Sequence, residues 1–567
     1  MDDSKTLHRP SYDLGNLQSD YHKAEVGDGV YMRLENNKTR EKFRSLDFCG
    51  GAAVSCLGNG GENASAEYVR VVEAAAAQMQ KLAYVSHTTY RSDVNFDLSE
   101  LLVRNANRYL VSDEDTKQRR YKEIETSEAS KISHAIIVNS GSEAAETAIK
   151  AVWQYWRQQG KPYKSRILSR ESSYHGNTLG ALALGEFPSR QDTYKGLIKP
   201  RTPLTLGSES LSGHNSRCNL GPGTNANEMH DEPLEIQYIK FDRYYPFGDK
   251  PENESEDEYV YRLVNNLQRL IKLHGAETIA AIWIEPVSGA ALGCQPAGPG
   301  YLAKVKQLCQ DNDILLVYDE VMCGLGRMGT MHAWHHDQAQ FDVQMGQNGV
   351  VSNEKQENRL QSLAPDIQMI GKCLAAGVMP AAGLLVNRRI ANGLGPKFIH
   401  SFTYQAHPTG CAAALATQIE VQRLLEAGRI QRLAECLERE VKKQLGHLSN
   451  VANIRGRGLF WGIELQHDDG GPWAHDVAAE LVSFGEDDYF VQRDACIRFY
   501  ASAWRLRRHE GPERKGDHIM LSPAFTFTEE GIIDAITKLS DVVRRYFENS
   551  VHISHHRATV AKGAFVP

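Results

Sequence analysis

Between about Leu101 and Asn387 the chain alternates short apolar runs with helix-forming stretches. HAIIVNSG is followed by a helical stretch from Glu143 through Trp153, and SRILSR by a glycine turn. IAAIWIEPV, ILLVYDEV, IQMIGK and PAAGLLVN continue the rhythm. Runs that are apolar on both faces and separated by helices fit a mostly parallel sheet covered on both sides. The expected fold class is therefore α/β. A chain of 567 residues also exceeds what one core holds, so a second domain is expected.

The flanking segments supply that domain. The first forty-odd residues are polar and irregular, and SLDFCGGAAVSCLGNG reads as short strands broken by glycine turns. Ala74 to Leu82 favours a helix. After about His400, Ile430, Leu433, Leu437, Val441 and Leu445 mark one face of a helix, with Gly446 as its stop. IRGRGLFWGIEL reads as a strand entered through a glycine turn, and GDHIMLSPAFTFT as another. The expected division is 1–98 as an N-terminal part of a small domain, 99–398 as the large domain, 399–548 as a C-terminal small α+β domain, and 549–567 as a disordered tail. Stretches 207–235 and 343–361 lack period and read as surface insertions.

The formal charge of −7 argues against a nucleic-acid partner, since phosphate binding wants a basic face. No apolar run reaches membrane-spanning length, and the N-terminus has no signal-peptide core. Ten scattered cysteines without a CxxC point to reduced thiols and a cytoplasmic protein.

Five motifs carry possible chemistry. In NSGSEAAETAIK, Ser140, Gly141 and Ser142 follow a buried strand and open a helix, whose free N–H groups suit a phosphate. The same letters also describe a plain serine cap. In SSYHG, Tyr174 and His175 stand before a glycine turn, where an aromatic ring can stack on a flat heterocycle or simply pack. In ILLVYDEVMCGLGRMG, a strand delivers Asp319 and Glu320 to its carboxyl end, where ligands bind in such sheets. A buried aspartate there needs a cation, from a ligand or from the protein. In PDIQMIGKCLAAG, Lys372 lies among apolar neighbours that depress its pKa and free its amine to condense with an aldehyde. In HSFTYQAHPTG, Thr403 ends a short strand before a helix starting near Thr409, and its hydroxyl can meet a phosphate or the backbone.

Two signals are set aside. Gly324, Gly326 and Gly329 fit GxGxxG, but TMHAWHHDQ behind them does not open a helix as dinucleotide binding requires. His332, His335 and His336 lack accompanying metal ligands, so no metal is expected.

Taken in order, NSGSEAAE, YHG, EPVSGA, DEVMCGLGRMG, PDIQMIGK, FTYQAHP and IRGRGL resemble the class III aminotransferases, the pyridoxal 5′-phosphate (PLP) enzymes that include ornithine and 4-aminobutyrate aminotransferases. The resemblance runs from about Asp47 to about Asp541. It implies fold type I, with a seven-stranded, mostly parallel sheet domain and a small domain built from both chain ends. It implies that Lys372 carries the cofactor as a Schiff base and that Asp319 pairs with the pyridinium nitrogen. Gly141 and Ser142, with Ser140 beside them, would hold the phosphate; Tyr174, next to His175, would stack on the ring. Thr403 would reach the cofactor phosphate of a neighbouring subunit in a homodimer or larger assembly. Arg455 would bind a substrate carboxylate.

The chain departs from the pattern twice. Ala290 stands where many relatives carry a glutamate facing Arg455, so nothing in the sequence neutralises that arginine. Met322 stands where many carry a glutamine that bonds the cofactor's ring hydroxyl. The implied reaction moves an amino group from an amino acid or amine to a keto acid or aldehyde through pyridoxamine phosphate. The same residues would serve an aminomutase, racemase or decarboxylase.

Overall fold

The computed structural model describes residues 22–36, 39–112, 119–198, 236–347, 360–467, 476–505 and 514–562. The expected insertion 207–235 lies outside them. So does most of 343–361, where 343–347 complete the helix Trp334–Gln347.

Seven strands form the central sheet: β1 (Ile132–Val138), β2 (Arg166–Arg170), β3 (Gln237–Phe241), β4 (Ile279–Ile284), β5 (Leu315–Asp319), β6 (Ile367–Ile370) and β7 (Ala382–Asn387). Their order is β1-β7-β6-β5-β4-β2-β3. Only β7 runs antiparallel to its neighbours. Six of these strands are the apolar runs of the sequence. β3 escaped because it pairs only with β2, at the sheet edge, and its QYIKF keeps polar residues on its exposed side.

Strand alternation divides the core into two. Ile167, Trp283, Leu315 and Val317 pack with Ala144, Ala148 and Val152 of the helix Gly141–Gln158. Leu168, Ile282, Leu316 and Tyr318 pack on the other face, with Leu263 and Leu267 of Glu256–His274 and Val305 of Tyr301–Asp311. Small alanines let the first helix lie close to the sheet. This alternation continues past β5, so Asp319 and Glu320 leave on opposite sides.

The chain ends meet in smaller sheets. Strands Lys23–Asp28, Tyr31–Glu35 and Lys42–Asp47 form one, completed by Ile497–Arg498 pairing parallel to Leu46 and Asp47. A second sheet orders Val451–Arg457, Phe460–Leu465, Arg514–Leu521 and Tyr500–Arg505 side by side. The helix Arg429–Leu445 buries Ile430, Leu433, Leu437, Val441 and Leu445, as its period requires, and ends at Gly446.

Four local expectations are corrected. IRGRGLFWGIEL is a hairpin of two strands, because Gly458 takes a positive φ of 63° and reverses the chain. SLDFCGGAAVSCLGNG holds one strand, which ends at Asp47; there the Asp47 carboxylate accepts from the amides of Cys49 and Gly50 and turns the backbone. HSFTY is a turn with no strand. The helix Glu529–Lys562 continues into the stretch expected to be a disordered tail; no glycine or proline interrupts the sequence between Gly531 and Gly563.

Candidate active site

A cavity of about 420 Å³ opens beyond the carboxyl ends of the strands, lined by Ser140, Gly141, Ser142, Tyr174, His175, Asp319 and Lys372. Seven expected site residues, distant in sequence, thus share one wall.

The helix Gly141–Gln158 starts there. Ser140 is its cap, with Oγ accepting from the Glu143 amide at 3.2 Å, while the Glu143 carboxylate accepts from the Asn139 amide at 2.7 Å. The serine-cap reading is therefore correct as well. Capping leaves the amides of Gly141 and Ser142 without helical partners, at the positive end of the helix. Gly141 is required by packing: a Cβ there would lie 3.0 Å from a Val321 methyl. The YHG turn is tied to the same spot. Gly176 has φ +130°, a Cβ on it would meet Ser142 Oγ at 2.8 Å, and Ser142 Oγ accepts from the Asn177 amide at 2.9 Å.

Asp319 is the last residue of β5 and is buried. His175 Nδ1 donates to its Oδ2 at 2.8 Å and the Val321 amide to its Oδ1 at 3.0 Å. These bonds orient the carboxylate. His175 Nε2 is buried without a hydrogen-bond partner among the described residues. Glu320, on the opposite side, accepts from the amides of Ala333 and Trp334 and from Gln368 Nε2. Burial pushes its pKa up to about 8, and it stands outside the cavity lining.

Lys372 follows β6 and takes a left-handed φ of 47°, a strained conformation for a residue with a side chain. The Gln418 amide braces the turn by donating to the carbonyls of Cys373 and Leu374. Burial depresses the lysine's pKa, and the charge of Asp319 partly restores it. No described residue accepts a hydrogen bond from its amine in this fold.

Among the wall residues that sequence reasoning missed are Glu285 and Val321. Val321 touches the space a side chain on either Gly141 or Gly371 would take, so it fills the angle between the two glycine turns. The apolar residues after Asp319 in DEVM were the available signal. Glu285 ends the apolar run of β4, as Asp319 ends that of β5.

Two expected residues lie elsewhere. Thr403 is exposed and does not line this cavity; Tyr84 Oη donates to its carbonyl at 3.1 Å. Arg455 is buried in the second small sheet and also stands outside the lining. The expectation that nothing neutralises it is wrong. Its NH1 pairs with Glu464 Oε2 at 2.5 Å, across one hairpin, and its Nε donates to the Leu292 carbonyl at 2.9 Å. Tyr245 Oη also donates to Glu464 Oε2, at 2.6 Å. The sequence concealed this pairing because IRGRGLFWGIEL was read as one strand, which cannot bring Arg455 beside Glu464.

Gly324, Gly326 and Gly329 fall in turns, and the next helix starts at Trp334, so no glycine opens it. His332 Nδ1 lies 2.7 Å from Gln368 Nε2, and burial pulls the pKa of His332 down to about 3.

Free amides at a helix start, a fixed carboxylate, an aromatic ring and an unpartnered amine in the cavity suit a flat, phosphorylated aldehyde with a basic ring nitrogen. The residues present therefore fit PLP. Residues 22–347 and 358–543 match the family described as aminotransferase class-III. An uncharacterized aminotransferase of Schizosaccharomyces pombe is 32% identical over 91% of this chain and 91% of its own length. Gamma aminobutyrate transaminase 3 of Solanum lycopersicum, a chloroplastic protein, is 29% identical over 73% of this chain and 66% of its own. The omega transaminase of Pseudomonas jessenii, solved in complex with PMP, shares the fold with a TM-score of 0.66 at 22% identity, over 93% of this chain and 92% of its own. The fold is that of a PLP-dependent transferase of fold type I. The chain belongs to the class III aminotransferases: it transfers amino groups between small-molecule donors and keto acid acceptors, with pyridoxal 5′-phosphate as cofactor.

Proposed function

We propose that Lys372 is the residue that binds PLP covalently and then moves the proton between the substrate carbon and the cofactor. The observation that carries this is the Lys372 amine, half-buried in the cavity near Asp319 with no hydrogen-bonding or ionic partner among the described residues. When bound, PLP supplies an electron sink that acidifies the proton on the substrate's amino-bearing carbon. Asp319, fixed by His175, keeps the ring nitrogen protonated. Gly141 and Ser142 hold the phosphate by their amides, with Ser140 shaping the turn, and Tyr174 covers the ring. With its pKa depressed by burial, the free Lys372 amine would serve as general base toward that proton. Borohydride reduction of the yellow protein, followed by peptide mass analysis, tests the reading. The cofactor mass on the Lys372 peptide is expected; its appearance on another lysine would overturn the assignment.

Homodimerisation belongs to the same proposal. Thr403 lies beside the exposed rings of Tyr84 and Tyr404, which meet edge to face at 5.9 Å. Such a patch marks a contact surface, and its occupant would place Thr403 against a partner's phosphate. A cytoplasmic location is supported by nine described cysteines, all free and buried, and no described helix is long and apolar enough to cross a membrane.

On substrate class, Glu464 changes the balance. With Arg455 already neutralised, a substrate lacking a second carboxylate leaves no unpaired cation. Simple amines and aldehydes are thus admissible beside amino and keto acids. A substrate carboxylate would reach Arg455 only by displacing Glu464. Donor profiling by conversion of bound PLP to pyridoxamine phosphate checks this: turnover with amino acids and none with any simple amine would reject it.

A further inference from the structure

Besides the Tyr174 phenol, four ionisable side chains line the cavity: His175, Glu285, Asp319 and Lys372. Three have places in the reading above. Glu285 does not.

Glu285 follows β4 and is 5% exposed. Its carboxyl accepts from the Gly289 amide at 3.0 Å, and Ser288 Oγ lies 3.4 Å away. Among the described residues, no lysine, arginine or histidine forms an ion pair with it. Arg170 donates instead to the backbone carbonyl of Glu285. Asp319, by contrast, holds His175 at 2.8 Å. Two carboxyls thus stand in one buried site, and only Asp319 receives a hydrogen bond from a side-chain ring nitrogen. A buried carboxyl with no cation paired to it is favoured in its protonated form.

The wall around Glu285 sharpens the point. Val287, Ala290, Val321 and Met322 line it with apolar groups, and Met322 packs beside Glu285 across Gly289, where a Cβ would lie 2.7 Å from the Met322 sulfur and 3.5 Å from Glu285 Oε1. A neutral carboxylic acid carries one O–H donor. The Ser288 oxygen is too distant to hold it well, so that donor is available to the cavity.

We propose that Glu285 is a neutral acid in the working enzyme and donates a hydrogen bond to an anionic oxygen of the cofactor on a wall that otherwise offers no side-chain donor. This rests on Lys372 holding the cofactor. Burial raises the pKa of Glu285, the charge of Asp319 raises it further, and His175 and Arg170 oppose the shift. Lys372 feels Glu285 as one of its nearby acids, together with Asp319, Cys373 and Cys323.

Glu285→Gln and Glu285→Leu decide the matter in the PLP-loaded protein. Glutamine keeps a donor and is neutral, as the proposed acid is. The pH midpoint of the cofactor's visible absorbance should therefore stay where it is in Glu285→Gln. It should move in Glu285→Leu, with weaker retention of PLP on dialysis. If Glu285 were ionised, Glu285→Gln would remove a negative charge near Lys372 and lower the midpoint by about one unit; that outcome overturns the proposal. Infrared difference spectra of wild type against Glu285→Gln give a second readout on the folded protein. A protonated carboxyl band present in wild type and absent in the variant is expected; a carboxylate band in its place overturns the proposal. Failure of cofactor placement is seen separately, as reductive labelling away from Lys372 with the infrared band intact.

Discussion

Two buried charge clusters lie in this molecule, one beyond the large sheet and one in the second small sheet. Around Asp319 and Lys372 the groups are arranged but incomplete: the lysine has no partner, and His175 Nε2 has none among the described residues. Around Arg455 and Glu464 the arrangement is more nearly closed, with a salt bridge of 2.5 Å, a tyrosine on the same carboxylate oxygen and a backbone carbonyl on the guanidinium, while one guanidinium nitrogen, NH2, has no hydrogen-bond partner among the described residues. Buried polar groups normally find partners. A group left wholly without one marks where a ligand completes the structure, whereas groups that are mostly engaged hold the structure itself. The first cluster is a site and the second, on this reasoning, a brace.

The sharpest way to break that contrast is at Lys372. Lys372→Ala should lower turnover by more than about a thousandfold, since it removes both covalent attachment and the proton carrier. PLP should still bind without a covalent link, through Asp319 and the helix start. Single-turnover assays and dialysis-resistant absorbance measure the two parts. Near wild-type turnover would place the reacting amine elsewhere.

Asp319→Ala follows, with an expected loss of at least about a hundredfold, the scale for removing one preorganised charged group. The ring nitrogen would lose its proton while the cavity kept its shape. A rate within a few fold of wild type would deny Asp319 its role.

How much of this the sequence disclosed follows the same contrast. The strands of the large sheet were legible because burial on both faces makes them continuous apolar runs. The strand ends were legible because chemistry-bearing residues sit directly after those runs: Ser140 after β1, Asp319 at the end of β5, Lys372 after β6. β3 was lost because an edge strand need not be apolar throughout. The Arg455–Glu464 pair was lost because it depends on a hairpin reversal at Gly458, set by one residue's φ rather than by any period. Glu285 was lost for another reason: its meaning lies in what does not surround it, and a sequence carries no signal of a missing cation.

Thr403 tests the contact surface and should have a smaller effect. Losing one hydrogen bond to a charged group costs about 1.5 kcal/mol. Thr403→Ala should therefore weaken PLP retention by roughly tenfold while leaving the cavity residues in place. Light scattering across a dilution series should show a dimer wherever activity persists. An active monomer with unaltered retention in Thr403→Ala would remove Thr403 from the site.

The smallest expected effect concerns discrimination between partners, and it bears on the closed cluster. Arg455→Gln strands the buried Glu464, and breaking one side of a buried pair costs about 3–5 kcal/mol of stability. Much of that should return in Arg455→Gln with Glu464→Gln, where no charge is left unpaired. Thermal denaturation reads this directly, and the double variant is the one suited to kinetics. Nε of Arg455 supports the Leu292 carbonyl, and Ala290, two residues earlier, lines the cavity while its carbonyl receives Ser502 Oγ at 2.8 Å. Loosening this loop should disturb every substrate alike, because the loop borders the cavity whatever the substrate carries. Affinities for keto acids and for aldehydes should then change in parallel, differing by less than about threefold, which is well under one hydrogen bond's worth. A selective loss for carboxylate-bearing partners would show that a substrate does displace Glu464. The cluster would then be a binding subsite held shut by its own carboxylate, and the distinction between site and brace would fail at Arg455.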